Sequence, residues 1–176
     1  MPEKKLLILG AGGFGQTIAE VAELLGNWES ISFVDDRWPE QQWAGCYPIV
    51  SNIQNLSLIK QQDFEAIIAV GNNQIRQKWH QLLLDLTIPL TSIIHPHTVI
   101  SPSVKFGQGV CIMAGCIIGA NTIIQDGVIL NLGTLLDHDV IVGNFAHLSV
   151  GVKVASNNII SAFSFLEVGS IVEHKS

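Results

Sequence analysis

Basic residues are scarce in this chain. Nine Lys and Arg stand against 15 Asp and Glu, a net charge of −6 over 176 residues, and nowhere do they gather into a basic cluster. Nucleic-acid binding draws most of its affinity from such a cluster, so nucleic acid is excluded as a partner. Long apolar runs are lacking too. The composition is 48% apolar, yet no stretch approaches the roughly 18 residues of a membrane span. The N-terminal MPEKKLLILG has lysines before an apolar stretch, in the order of a signal peptide. That stretch is too short, however, and runs straight into a glycine motif, so it reads as a first strand. Cysteine is limited to Cys46, Cys111 and Cys116, an odd number without metal-ligand spacing. They read as free thiols, Cys116 as a buried one, and point to a reduced, cytoplasmic setting.

What the chain does have is a period of six. From Ile94 every sixth residue is apolar, through Ile100, Phe106, Ile112, Ile118 and Ile124 to Leu166 and Val172, 14 of 14 in one register. At this apolar content chance gives such a run with a probability on the order of 10⁻⁴, and a fixed short period marks a repeat fold. Helices need a period near 3.6 and ordinary strands a period of 2. A prism of short parallel strands fits a strict six: each hexad makes one face, and three hexads close a coil of about 18 residues. Four residues after each anchor the side chain is compact, as at Val110, Cys116, Thr122, Val128 and Ala146. These positions are expected to let the chain turn the corners.

The first part of the chain has a different rhythm. Residues 4–9 read as a buried parallel strand, followed by Gly10-Ala11-Gly12-Gly13-Phe14-Gly15 and a helix from about Gln16 to Leu25 stopped by Gly26. Ile31–Val34 is a second strand ending in Asp35-Asp36. Residues 37–47 read as a loop and 52–62 as helical. Ala66–Val70 is a third strand, and Gln74–Leu86 a helix with Ile75, Trp79, Leu82, Leu83 and Leu86 on one face. Strands alternating with helices indicate a small parallel α/β unit. The two patterns meet near residue 90, giving domains of 1–90 and 91–176.

The glycine segment has full G-x-G-x-x-G spacing between a strand and a helix, where free helix N–H groups suit a phosphate. Asp35 ends the second strand, where a carboxylate can accept hydrogen bonds from a ribose or base. A dinucleotide oxidoreductase is the obvious reading. Against it, a unit of about 90 residues is half a full dinucleotide fold, and a solenoid follows instead of a catalytic domain. Such a unit suits a mononucleotide, for example a nucleotide-sugar, at the carboxyl ends of Leu9, Val34 and Val70, with Gly71 and Asn72 at the same edge. Among six histidines, His80 reads as a surface residue, His95 and His97 as domain-junction packing, and His174 as part of a tail. His138 differs. It lies between Asp137 and Asp139 inside an apolar solenoid, and a neighbouring carboxylate makes an imidazole a better general base. His147 follows in Phe145-Ala146-His147-Leu148.

With these residues in view the chain resembles the NeuD/PglD-like sugar acetyltransferases. The resemblance is carried by Leu7-Ile8-Leu9-Gly10-Ala11-Gly12-Gly13, Asp35-Asp36, Ala69-Val70-Gly71-Asn72-Asn73-Gln74-Ile75-Arg76 and Ile94-His95-Pro96. It continues in Val128-Ile129-Leu130-Asn131-Leu132-Gly133, Asp137-His138-Asp139 and Gly143-Asn144-Phe145-Ala146-His147-Leu148-Ser149-Val150-Gly151. The resemblance implies a Rossmann-like nucleotide-sugar-binding domain followed by a left-handed parallel β-helix of hexapeptide repeats. It implies a cytoplasmic homotrimer with active sites between adjacent subunits. The reaction it implies is N-acetylation of a nucleotide-linked amino sugar, of the UDP-4-amino-4,6-dideoxy type, with acetyl-CoA as co-substrate, no metal, and a place in bacterial glycan biosynthesis. By the same resemblance His138 is the catalytic base and Asp139 raises its basicity. His147 and Val168 contact acetyl-CoA, while Gly12, Gly13, Phe14, Asp35, Asp36 and Gly71 line the substrate site.

The chain departs from the family pattern in places. Phe14 stands where His is frequent, Ser156, Ser161 and Glu167 stand where glycine is usual, and Ser176 comes before the family's usual end. An O-acetyltransferase of a sialic-acid-type sugar would use the same machinery. A homologue that binds nucleotide-sugar without transferring acetyl is the reading from another class.

Overall fold

The computed structural model of the protein describes residues 4–59 and 64–174. The chain divides into two compact units, residues 1–91 and 92–176.

In the first unit, β1 (Lys5–Leu9) is an interior strand of the sheet, and Leu6, Leu7, Ile8 and Leu9 are all fully buried. A run of apolar residues without alternation is what a parallel strand covered on both faces requires. It pairs in parallel with β2 (Ser30–Val34) on one side and β5 (Phe64–Ile68) on the other. Helix α1 (Gly13–Leu25) starts three residues earlier than expected, directly at the glycine loop, and ends at Gly26 in the left-handed conformation. Gly15 admits no side chain, since a Cβ there would strike the Gly10 carbonyl oxygen.

Three expectations need correction here. Residues 37–47 are not all loop: β3 (Trp43–Ala44) turns back antiparallel onto β4 (Tyr47–Ser51), which adds a fourth parallel strand beside β2. Tyr47, Ile49 and Ser51 are buried and alternate with half-buried Pro48 and exposed Val50. That is a period-2 strand hidden by a proline, which an outer strand tolerates. Helical structure after Asn52 is limited to a 3₁₀ turn (Ile53–Asn55) and α2 (Leu56–Ile59), residues 60–62 lying outside the described residues. The strand expected at 66–70 runs two residues earlier, which frees Val70 and Gly71 for the loop that follows.

Helix α3 (Asn73–Asp85) is capped by Asn72, whose Oδ1 accepts from the Ile75 N–H at 2.9 Å. Trp79, Leu82 and Leu86 pack against the core, as expected, and Leu83 is fully buried. Ile75 instead faces outward, while Arg76 and His80 are buried. His80 is therefore not a surface residue. The stripe Asn73, Arg76, His80, Leu83 faces the sheet because spacings of three and four residues share one side of a helix.

The second unit is a left-handed parallel β-helix. Fourteen two-residue strands, from β6 (Ile93–Ile94) to β19 (Ile171–Val172), form three parallel sheets among the described residues. Each strand ends on a hexad anchor, and partners lie one coil apart, as in Ile118↔Leu136↔Val154. The anchors fill the interior, with Ile112, Ile124, Leu130, Val142 and Leu148 fully buried. Burying such a side chain is worth about 1.5–3 kcal/mol. Anchors on terminal strands are less covered, Ile94, Ile100, Leu166 and Val172 being partly buried and Phe106 40% exposed, because no coil covers them on one side.

The corners are built differently from expectation. The residue three after the anchor makes the turn, with positive φ at every corner from Gly109 to Gly169. Asn121, Asp139, Phe145, Asn157 and Phe163 take this conformation without being glycine. The compact residue four after the anchor points inward: Val110, Cys116, Thr122, Val128 and Ala146 are fully buried. It fills the prism, and its small size keeps three faces within packing distance.

Candidate active site

The backbone of the corner after Leu136 presents Asp137, His138 and Asp139 on the outside of the prism. His138 and Asp139 side chains are 52% and 43% exposed, and His138 Nδ1 lies 2.7 Å from Asp139 Oδ2. A carboxylate at Nδ1 favours the proton there and leaves Nε2 as the basic nitrogen facing outward. The hydrogen bond to Asp139, with the charges of Asp137 and Asp139, raises the His138 pKa above the ordinary imidazole value against an opposing effect of desolvation. The same bond, and one from Asn121, lower that of Asp139.

Three further groups hold this corner. Asp137 Oδ1 accepts from the His138 backbone N–H at 2.8 Å. Asn121 Nδ2 donates to Asp139 Oδ1 at 3.1 Å, leaving Oδ2 for the imidazole, and Ser103 Oγ accepts from the Asn121 N–H. Gly119 lies directly against Asp137 and His138: a Cβ there would come within 2.7 Å of Asp137 C and His138 N. Sequence reading missed Asn121 and Gly119. The signal that finds them is the coil length itself, since Ser103, Asn121 and Asp139 are spaced one coil apart, as are Gly119 and Asp137.

His147 and Val168 are not brought to this corner. His147 lies on the sheet containing β15 (His147–Leu148) and β18 (Phe165–Leu166), where its ring packs edge-on against Phe165. Val168, 70% exposed, sits at the corner leaving that sheet. His138 lies at the corner between the other two sheets. One prism therefore presents the two histidines on different sides. Beside Asp137 runs an apolar groove of about 610 Å³ lined by Ile117, Leu135, Lys153, Ile171 and His174.

In the first unit the carboxyl ends of β1, β2 and β5 carry the glycine loop, Asp35-Asp36 and Gly71. Gly12 and Gly13 are exposed, and a Cβ on either would meet nothing within 4 Å, so open space lies at the start of α1. Phe14 is half-buried. Asp35 is already engaged: it accepts from the Ala11 N–H at 2.8 Å and forms a two-point ion pair with Arg37 at 2.7 and 3.0 Å. Burial pushes the Asp35 carboxyl up, but the Arg37 and Ala11 hydrogen bonds outweigh it and hold the pKa below the ordinary value. Asp35 thus ties the glycine loop to the end of β2 and leaves Arg37, which sequence reading passed over, as the charged group facing outward. Asp36 Oδ1 accepts from the Ile53 N–H. Among the described residues no group of three or more His, Cys, Asp or Glu could hold a metal, and no helix is long and apolar enough to cross a membrane.

Comparison with known proteins agrees with this two-part organisation. Residues 5–83 match the family model of the PglD N-terminal domain. The acetyltransferase domain of PglB from Neisseria gonorrhoeae FA1090, solved in complex with acetyl coenzyme A, superposes with a TM-score of 0.89 at 35% identity, over 96% of this chain and 82% of that one. PerB from Caulobacter crescentus, solved in complex with CoA and GDP-perosamine, gives 0.84 at 29% identity over 97% and 89%. Among curated proteins, UDP-N-acetylbacillosamine N-acetyltransferase of Bacillus subtilis is 28% identical over 116 residues, 63% of this chain and about half (52%) of that protein's length. A Rossmann-like domain with an open glycine loop and a hexapeptide β-helix, matching the PglB acetyltransferase domain at 35% identity across 96% of its length, place this chain in the NeuD/PglD-like family of sugar acetyltransferases.

Proposed function

We propose that this protein transfers the acetyl group of acetyl-CoA to the amine of a nucleotide-linked amino sugar in bacterial glycan biosynthesis. The observation that carries the reading is the solvent-facing His138, paired through Nδ1 with Asp139. A base with Nε2 free accepts a proton from the sugar amine as that amine attacks the thioester carbonyl. Asp139 supports the imidazolium, the tetrahedral intermediate collapses with loss of the CoA thiolate, and the proton held by His138 is available to that leaving group. The first unit binds the nucleotide-sugar at Gly12, Gly13, Phe14, Asp36 and Gly71, with Asp35 shaping the loop.

Acetyl-CoA contacts from His147 and Val168 cannot come from the prism that supplies His138 without reaching around it. A trimer resolves this, because a neighbouring prism sets its own His147 and Val168 across a cleft from His138. Exposed Val99, Ile117 and Ile171 along one face and Ile159 on another support such packing, since monomers rarely expose apolar rows. With these co-substrates the reading is of a cytoplasmic reaction.

The decisive assay follows acetyl-CoA consumption with UDP-, GDP- and CMP-linked amino sugars and with free sugars. Turnover is expected only with a nucleotide-linked amine. Turnover with a free sialic-type sugar would instead assign O-acetylation, and absence of acetyl-CoA binding by calorimetry would assign a binding protein without transferase activity.

The pH profile gives a second check. His138 must be unprotonated to act, and its raised pKa means that activity is lost as pH falls through a value above the ordinary 6.5 or so of imidazole. Asp139→Asn removes the charge and is expected to move the acid limb of kcat/KM to lower pH while reducing the plateau. An acid limb unmoved in Asp139→Asn would assign it to another group.

A further inference from the structure

Among the described residues the largest fully buried side chain is an arginine. Arg76, on α3, is 1% exposed. A guanidinium is always charged and among the costliest groups to bury, so its position requires hydrogen-bond acceptors that water would otherwise supply. Arg76 Nη1 donates to the carbonyls of Val70 at 2.9 Å and Gly71 at 3.2 Å, and Nη2 donates to Asn73 Oδ1 at 2.8 Å. One planar group thus grips two carbonyls of the loop between β5 and α3 and the side chain of Asn73, the first residue of α3.

That loop also supports the glycine loop. Gly10 has φ +105° and lies so close to it that a Cβ would come within 2.8 Å of Val70 Cγ1 and 3.0 Å of the Ala69 carbonyl oxygen. Gly71 and Asn72 stand exposed at the same edge as Gly12 and Gly13. Fixing Val70 and Gly71 therefore fixes both walls of the space left open at the start of α1.

We propose that Arg76 is a positioning residue for nucleotide-sugar binding: from inside the domain it clamps the Val70–Asn73 segment, and through that segment it sets the glycine loop against the substrate's nucleotide. The inference rests on the first unit being the nucleotide-sugar site. Arg76 itself touches no substrate. Lysine keeps the charge but cannot span the three acceptors, whereas methionine keeps the stem and loses both.

The test measures nucleotide-sugar affinity, KM, kcat and acetyl-CoA affinity for Arg76→Lys, Arg76→Met and Asn73→Ala in the full chain. Arg76→Lys and Arg76→Met are expected to weaken nucleotide-sugar binding by about tenfold or more, the loss expected of one hydrogen-bonded contact. Asn73→Ala, which removes one of the three acceptors, is expected to weaken it less. kcat at saturating substrate and acetyl-CoA affinity should stay within about twofold. A general loss of structure would lower all of these together, and Asn73→Ala retains a signal if Arg76→Met does not fold. Unchanged nucleotide-sugar affinity in Arg76→Lys and Asn73→Ala, with the unsubstituted protein binding normally, would overturn the clamp. Failure of the unsubstituted protein to bind any nucleotide-sugar would overturn the functional reading instead.

Discussion

His138→Ala is expected to lower kcat/KM for acetyl transfer by at least about 100-fold, the low end of what a positioned general base contributes. The imidazole at the outer corner of the prism is a base whose orientation is fixed by a partner, Asp139, at 2.7 Å. Its removal costs little else. The ring is half exposed, and exposed substitutions away from packing features change stability by about 0.5 kcal/mol or less. Affinity for acetyl-CoA and the thermal midpoint should therefore match the unsubstituted protein. Asp139→Asn acts through His138, so adding it to His138→Ala should cause almost no further loss, the non-additivity expected of residues that work as a unit. Turnover preserved in His138→Ala would remove His138 from the mechanism. A full additional loss in the double variant would give Asp139 a role of its own.

The repeating half of the fold was legible because its signal is redundant. Fourteen anchors in one register say the same thing, and even Phe106, exposed at the terminal coil, leaves the pattern intact. Chemistry in the repeat was legible where it is local: Asp137-His138-Asp139 is contiguous, and a histidine flanked by carboxylates stands out in an apolar solenoid. What escaped notice needed a third dimension. Asn121 and Gly119 reach the His138 corner only because coils stack one above another. The turn position was misread because a compact residue at a corner and an inward compact residue look alike in sequence. Positive φ at Asp139 or Phe145 is set by the coil geometry rather than by a glycine preference.

The α/β half was harder to read because each element occurs once. Pro48 masked β4, and the polar residues Arg76 and His80 masked the buried face of α3. Arg76 lies on the inward stripe of α3, and what the spacing could not show is that the carbonyls of Val70 and Gly71, just before the helix, are within its reach.

Gly119→Ala carries the second large effect, without removing any reacting group. Gly119 donates its N–H to the Leu136 carbonyl at 2.8 Å, which locks its coil directly against the one bearing Asp137 and His138. A methyl group there would meet Asp137 C and His138 N at 2.7 Å and Asp137 O at 3.0 Å. These are backbone atoms that cannot rotate aside, so the coil carrying the imidazole must shift. Overpacking of this kind costs about 1–3 kcal/mol of stability, and a displacement approaching 1 Å can cost about 100-fold in rate. The expected result is a fall in kcat/KM of about 10- to 100-fold, measured well below the thermal midpoint. Gly107→Ala supplies the control. Its Cβ would press as hard on Asp126, meeting Asp126 Oδ1 and the Asp126 N, but at a corner remote from His138. It should lose similar stability and keep most of its activity. Equal kinetic losses in the two variants would mean that loosening of the solenoid, and not the placement of His138, limits the rate.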